Sequence, residues 1–395
     1  MKILQINTVC KSGSTGKIAY DLHSWLKQEG HESKIAYGRG NITDDRNTWR
    51  FATKWEVYAH ALLTRVTGLT GCFSPFATRK LIQHIDTYVP DVVHLHNIHG
   101  YYVDVYKLIK HLKKKGIRTI ITLHDEWLYT GKCGYAYDCN KWMGECGDCP
   151  QLKEYPASLF FDRSRLMYRM KRRLFRKFDN LTIVTPSQWL ANRVKQSIFS
   201  HLPVVVVPNG IETKVFYPRD VSALRAKYNV KNVVLHVTSD FGDKRKGGHY
   251  VLELAQRMPN VSFFIVGNLK PIVNATPNVY AMGRTENQDQ LAEWYSFAAV
   301  SIIASTRETF SMVCAESLAC GTPVVGFEAG GPSEVAPEKY GLFVPYADIS
   351  ALERSVYFAL DGNMHRNIDC TKFSKAKYDK DVVAKQYIAL YCLKY

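Results

Sequence analysis

Short runs of apolar, largely β-branched residues recur along this chain, spaced so that one helix fits between each pair. The first half carries KILQIN, SKIAYG, DVVHLH, RTIITLH and LTIVTPS, and the second NVVLHVT, VSFFIVG, VSIIAS and TPVVGF. Nearly continuous runs of this kind, separated by helical patterns, predict parallel sheets covered on both faces. The pattern restarts after VVVVPNGIETKVFYP, where Pro203, Pro208, Gly210 and Pro218 punctuate the chain and predict a domain boundary near Phe216. The expected fold class is α/β, with two doubly wound domains over residues 1–215 and 216–375 facing a cleft. A C-terminal helix within 376–395 could pack back on the first domain. A chain of 395 residues exceeds what one hydrophobic core usually serves, which agrees with two. Folds of this kind place ligands beyond the carboxyl ends of their strands.

Composition narrows the function. No stretch approaches the roughly 20 apolar residues of a membrane span. The residues after Met1 and Lys2 lack the apolar core of an export signal, so neither spanning nor export is expected. Ten cysteines in such a chain predict reduced thiols or a metal site ahead of a disulfide framework. The net charge of +16 is concentrated, with +14 in residues 1–215 and +2 in the rest. Much of it lies in RSRLMYRMKRRLFRKF, Arg163 to Phe178, where Leu166, Met170, Leu174 and Phe178 recur every four residues among eight basic side chains. That spacing predicts an amphipathic basic helix. By charge it suits an anionic membrane surface or a nucleic acid, and equally a solvated helix whose apolar stripe lies in the core.

The opening VCKSGSTGKIAYDL, Val9 to Leu22, places Gly16 and Lys17 as a triphosphate-binding loop would. Lys11 and Ile18 nevertheless occupy positions where that fingerprint requires Gly and Ser or Thr. What remains is a strand, a loop with Gly13 and Gly16, and a helix whose free amides suit an anion.

The most informative stretch is STRETFSMVCAESLACGTPVVGFEAGGPSEV, Ser305 to Val335, in which Glu308 and Glu316 are separated by seven residues and followed by Gly-Thr-Pro and Gly-Gly-Pro-x-Glu segments. In this pattern the chain resembles the retaining, nucleotide-sugar-dependent glycosyltransferases of family 4, whose GT-B fold pairs two Rossmann-like domains. VPNGIETKVF (Val207 to Phe216), DKRKGG (Asp243 to Gly248) and TLHDEW (Thr122 to Trp127) match the same family in the same order. HLHNIHGYY and TGKCGYAYDC resemble its bacterial capsule and exopolysaccharide members of the colanic-acid type.

The resemblance implies roles. Lys246, backed by Lys244 or Arg245, would stabilise the departing diphosphate. Glu308 would accept hydrogen bonds from donor-sugar hydroxyls and Glu316 from ribose hydroxyls, with the amides of Thr309, Phe310 and Ser311 near phosphate and sugar. Gly13 to Gly16 would face the donor phosphates. His124 would contact the donor sugar without acting as a base, while His94, His96 and His99 would line the acceptor side or pack structurally. A growing negative charge on a leaving diphosphate needs such cations and amides. The family's usual Arg before Lys-Gly is missing from HVTSDFGD, and Ser311 replaces its usual Gly.

Cys133, Cys139, Cys146 and Cys149, spaced C-x5-C-x6-C-x2-C, could close a structural zinc site or remain thiols. No cofactor is expected for transfer itself. The implied partners are a UDP- or GDP-linked sugar, a polyprenyl-diphosphate-linked or saccharide acceptor, and an anionic surface on the inner face of the plasma membrane, with no nucleic acid. A catalytically silent nucleotide-sugar binder and a basic nucleic-acid-binding protein with a zinc loop are the competing function classes.

Overall fold

The computed structural model describes residues 1–269 and 276–393. The chain forms two compact units. One is Met1–Val207 joined by the chain from Ala384 onward, and the other is Pro208–Val383.

The first unit holds a seven-stranded parallel sheet in the order β3-β2-β1-β4-β5-β6-β7. Its strands are β1 (Lys2–Asn7), β2 (Glu32–Tyr37), β3 (Thr48–Arg50), β4 (Val92–Leu95), β5 (Arg118–Thr122), β6 (Leu181–Thr185) and β7 (Val204–Val206). The second holds a six-stranded parallel sheet in the order β10-β9-β8-β11-β12-β13. Its strands are β8 (Val233–Thr238), β9 (Ser262–Gly267), β10 (Val279–Gly283), β11 (Val300–Ile303), β12 (Val324–Phe327) and β13 (Gly341–Val344). Helices cover both faces of each sheet, which is why the central strands read as nearly continuous apolar runs; β4, β6, β11 and β12 are buried at every position.

Strand order reverses between β1 and β4 in one sheet and between β8 and β11 in the other. Those two switch points, beyond the carboxyl ends of their strands, are where a doubly wound sheet opens a crevice for ligand.

The units part at Val207 and Pro208 and not near Phe216. Ile211 explains the difference: its amide donates to Tyr378 O at 2.7 Å and its carbonyl accepts from Lys380 N at 2.9 Å, while Phe216 packs into the second core. The end of the chain is tied to the first unit by Tyr387, whose hydroxyl meets Thr122 Oγ1 at 3.0 Å, and by Leu390 O, which accepts from Arg118 at 2.6 Å. Among the described residues no helix is long and apolar enough to cross a membrane.

The basic helix forms over Ser164–Phe175, but its buried face differs from the expected stripe. Ser164, Met167, Tyr168, Lys171, Leu174 and Phe175 turn inward. Leu166 is 43% exposed. The real stripe alternates spacings of three and four, as a 3.6-residue period requires, and it includes a lysine. Lys171 Nζ donates to Trp127 O at 2.6 Å and Thr130 O at 3.0 Å and rests 3.6 Å from the Trp127 ring centroid. Burial pushes this ammonium down to about 7.

Candidate active site

In the second unit the site is built on the loops after β8 and β11. Asp243 caps a 3-10 turn, Lys244–Lys246, by accepting from Arg245 N. Gly247 follows at φ 69°, and a Cβ there would stand 2.0 Å from Ala304 O. Only glycine tolerates both that conformation and that approach, so the Lys-Gly pair is what lets the turn press against the segment after β11. The press is sealed by Thr306 N donating to Arg245 O at 2.8 Å. Lys246 Nζ then donates to Glu308 Oε1 at 2.6 Å, a charge-assisted contact between two partly exposed groups.

Arg245 is directed elsewhere. Its Nη2 pairs with Asp243 Oδ2 at 2.6 Å, and the guanidinium holds the Asp243 carboxyl below its usual range. Of the two charges expected to back Lys246, Arg245 is thus paired with the residue that caps the turn.

Glu308 is fixed by backbone on both sides. Its amide donates to Ala329 O at 2.8 Å and its carbonyl accepts from Gly331 N at 2.9 Å. A Cβ on Gly331 would lie 2.4 Å from Thr309 O, so the Gly-Gly-Pro segment accompanies the glutamates because only glycine lets these loops close. Thr309 and Phe310 are buried, the Phe310 ring meeting Tyr378 edge-on at 5.6 Å. Ser311 caps the helix Met312–Ala319 through Cys314 N and sits at φ 94°. A side chain is strained in that region, which accounts for the family's glycine at this position. Glu316 lies on that helix, its Oε2 accepting from Tyr295 OH at 3.0 Å.

In the first unit, histidines gather after β4 and β5. His94 is internal to β4, its Nδ1 meeting Tyr391 OH at 2.7 Å and its Nε2 meeting Thr122 Oγ1 at 2.8 Å. His96 follows the strand, with Nε2 at 3.1 Å from Gln5 Oε1 and Nδ1 at 3.3 Å from His124 Nε2. With the Gln5 oxygen accepting, His96 Nε2 carries its proton and Nδ1 accepts from His124 Nε2. The two rings stack at 5.6 Å. Burial pushes His124 down to about 4 and His96 well below its ordinary value, so both imidazoles are neutral at pH 7. His99 Nε2 lies 3.2 Å from Asp125 Oδ2, and its ring stacks on Trp127 at 5.3 Å.

The opening loop lies after β1, beside the switch point. Gly13 begins the helix Gly13–Gln28 at φ 63°. A Cβ on Gly16 would approach Val9 Cγ2 to 3.0 Å, so Gly16 lets the loop fold onto its own helix. Lys11 is paired with Asp44 at 2.5 Å.

The four cysteines are not assembled as one ligand set. Cys133 Sγ and Cys149 Sγ are 3.8 Å apart, and Cys146 Sγ accepts from Gly131 N at 3.1 Å. Among the described residues no three His, Cys, Asp or Glu side chains are grouped to hold a metal ion. The loop is held instead by Lys132, whose Nζ donates to the carbonyls of Gln151, Leu152 and Glu154, and by Glu126. Glu126 accepts from Arg193 Nε at 2.7 Å and from Ala136 N at 2.8 Å. Asp125 and Glu126 lie within TLHDEW but have no role assigned by that pattern, Gln5 belongs to the first strand run alone, and Lys171 reads as one more charge of the basic stretch. A helical wheel containing Met167, Tyr168, Leu174 and Phe175 is the one signal that would have placed Lys171 inside.

Comparison with known proteins covers both units. The model of the family described as Glycosyltransferase Family 4 matches residues 15–215, and that described as Glycosyl transferases group 1 matches residues 231–361. The putative colanic acid biosynthesis glycosyl transferase WcaC of Escherichia coli strain K12 is 23% identical over 416 residues, covering 99% of both chains. Among solved structures, sucrose-phosphate synthase from Thermosynechococcus elongatus superposes with a TM-score of 0.72 at 18% identity, covering 99% of this chain and 98% of that one. Anabaena HepE in complex with UDP-glucose superposes with a TM-score of 0.66 at 16% identity, over 100% of each. These neighbours share the GT-B fold, which is the fold of this chain.

Proposed function

This chain belongs to glycosyltransferase family 4, and from that premise we propose that it transfers a sugar, with retention, from a UDP- or GDP-linked donor to a lipid-linked or saccharide acceptor in surface polysaccharide biosynthesis. The observation that carries the reading is the Lys246–Glu308 pair at the β8/β11 switch point, with Glu316 on the helix that follows. In the reaction the bond from the sugar's anomeric carbon to the diphosphate oxygen breaks, and the acceptor oxygen bonds to that carbon on the same face. The leaving phosphate takes the acceptor's proton. Negative charge grows on the diphosphate, and the Lys246 ammonium is the group that stabilises it. Glu308 accepts from the sugar's hydroxyls and Glu316 from the ribose. A neutral His124 that gives its Nε2 proton to His96 keeps only Nδ1, an acceptor, for a sugar hydroxyl, and its depressed basicity does not suit a general base.

The printed name of WcaC supports a polysaccharide product, and the UDP-glucose complex of HepE supports a uridine donor. Arg165, Arg169, Arg172, Arg173 and Arg176 are exposed on the basic helix and support peripheral attachment to an anionic inner membrane face. The test is a thermal-shift and turnover panel over UDP, GDP and their sugars. A ligand at 100 times its dissociation constant adds about 2.7 kcal/mol of stability. Binding without turnover would leave a silent nucleotide-sugar binder. No shift and no turnover with any donor would reject the reading.

A further inference from the structure

The helix Lys54–Thr67 is apolar on both sides. Val57, His60, Ala61 and Thr64 face the core. The opposite side carries Trp55, 84% exposed, Tyr58, 67% exposed, and Leu62, 61% exposed, with Leu63 and Val66 beside them. At about 100° per residue, Trp55, Leu62 and Val66 share one direction to within about 40°. No charged residue falls between Tyr58 and Leu63 around that arc; Lys54 and Arg65 border it on the Tyr58 side and Glu56 on the Leu63 side. Phe76, on the next helix, is also exposed. A helix apolar all round is normally buried, and an exposed stripe of this size marks a contact surface. Tryptophan and tyrosine at its edge suit the boundary between lipid headgroups and acyl chains.

The same helix closes one wall of a pocket of about 220 Å³. Its other walls come from the residues just past the carboxyl ends of β2 and β3. Arg39, Arg50 and Lys54 line it together with Asn41 and Tyr58, and no carboxylate is among the described residues that do. Arg50 Nη1 donates to Gly40 O at 2.9 Å and Arg39 Nη1 to Gly100 O at 3.4 Å, so backbone carbonyls orient both guanidinium groups. Gly40 in turn faces the opening loop, where a Cβ on it would meet Val9 Cγ1 at 3.7 Å and Ser12 Oγ at 3.8 Å. The pocket therefore stands at the ligand end of the first unit's sheet.

We propose that this pocket seats the phosphate headgroup of an isoprenoid-diphosphate lipid while the exposed face of Lys54–Thr67 lies in the bilayer interface. Three cations without a carboxylate complement a diphosphate, and the apolar stripe begins at Lys54 and Tyr58, where the pocket ends. A lipid held there has its headgroup in the pocket and its chain along the stripe. The inference rests on the lipid-linked acceptor reading and assigns it residues.

The experiment has two arms. Farnesyl diphosphate, used as a soluble probe in titration calorimetry, should bind saturably, and inorganic diphosphate and farnesol each more weakly. Arg50→Glu with Lys54→Glu should weaken the probe by roughly tenfold or more, the scale of lost charged hydrogen bonds. In co-sedimentation with phosphatidylglycerol vesicles, Trp55→Glu with Leu62→Glu should release the protein at both low and high salt, because the apolar contact is not screened. Reversing Arg169, Arg172, Arg173 and Arg176 should weaken vesicle binding most at low salt, and the difference from wild type should shrink as salt is added, because salt screens the attraction those charges supply. Unchanged probe binding in the Arg50/Lys54 variant, or vesicle binding that survives Trp55→Glu with Leu62→Glu, would overturn the proposal. So would a dimer that the Trp55/Leu62 variant splits while wild type ignores vesicles, or polynucleotide binding without probe binding. Donor turnover is scored separately, so loss of one reading is distinguishable from loss of the other.

Discussion

Lys246 Nζ lies 2.6 Å from Glu308 Oε1, so the cation that would meet a departing diphosphate and the carboxylate that would hold its sugar are positioned by each other. Lys246→Ala is expected to raise the transfer barrier by about 2–4 kcal/mol, the scale of one preorganised charge. Glu308→Ala should leave free-nucleotide affinity intact and lower turnover. Steady-state rates alongside nucleotide titration check both. Wild-type transfer in the two variants would remove the pair from the chemistry.

Glu316 should govern nucleotide affinity and not rate. Replacing it with Ala should weaken UDP or GDP binding by about 1.5–3 kcal/mol, as a charged acceptor is lost. Tyr295→Phe, which removes only the hydroxyl 3.0 Å from Glu316 Oε2, should cost less. Equal affinities in titration calorimetry would place Glu316 outside the site.

Ser311 sits at φ 94° while its side chain caps Cys314 N. Ser311→Gly relieves the strain and loses the cap, so its stability should match wild type or exceed it by up to about 1 kcal/mol. Ser311→Ala keeps the strain and loses the cap, and should be less stable by about 1 kcal/mol. Urea midpoints decide, and an Ala variant more stable than the Gly variant would refute the strained backbone.

Acid should destabilise the fold early. Burial holds His60, His124 and His236 at about 4 and His94 at about 3, against an ordinary value of 6.5. Between those values the unfolded chain binds protons that the folded chain does not. Their contribution is therefore complete above about pH 6.5 and is lost as pH falls toward 4. Each such histidine adds about 1.4 kcal/mol per pH unit to the slope. Unfolding followed from pH 7.5 to 5 should show it, and a flat profile would mean these imidazoles are charged when folded.

Cys149 should react before Cys133. The hydrogen bond between them, at 3.8 Å, pushes the Cys149 thiol down to about 6 while raising that of Cys133. Alkylation mapped by mass spectrometry at pH 7 should label Cys149 first. One equivalent of zinc in protein purified without chelator would show instead that all four thiols gather on a metal.

The linear sequence determined the class of fold and the donor-side motifs. The central strands of both sheets are buried on two faces, so they are mostly apolar with few polar interruptions such as His94 and Ser301, and that pattern is readable without coordinates. The four strands it did not reveal, β3, β7, β10 and β13, are the outermost of the two sheets. Their residues are partly exposed and carry no such requirement. Lys246, Gly247, Glu308 and Gly331 were legible because close backbone approach demands glycine at fixed offsets from the Lys246 and Glu308 side chains. Tertiary structure alone decided which groups meet across distant segments: His96 between Gln5 and His124, Arg245 on Asp243, and Lys171 under Trp127. It also decided which side of an apolar helix is covered. Lys54–Thr67 carries apolar residues on opposite sides, and burial is a property of neighbours, so only packing shows that Val57 is in the core while Trp55 faces out.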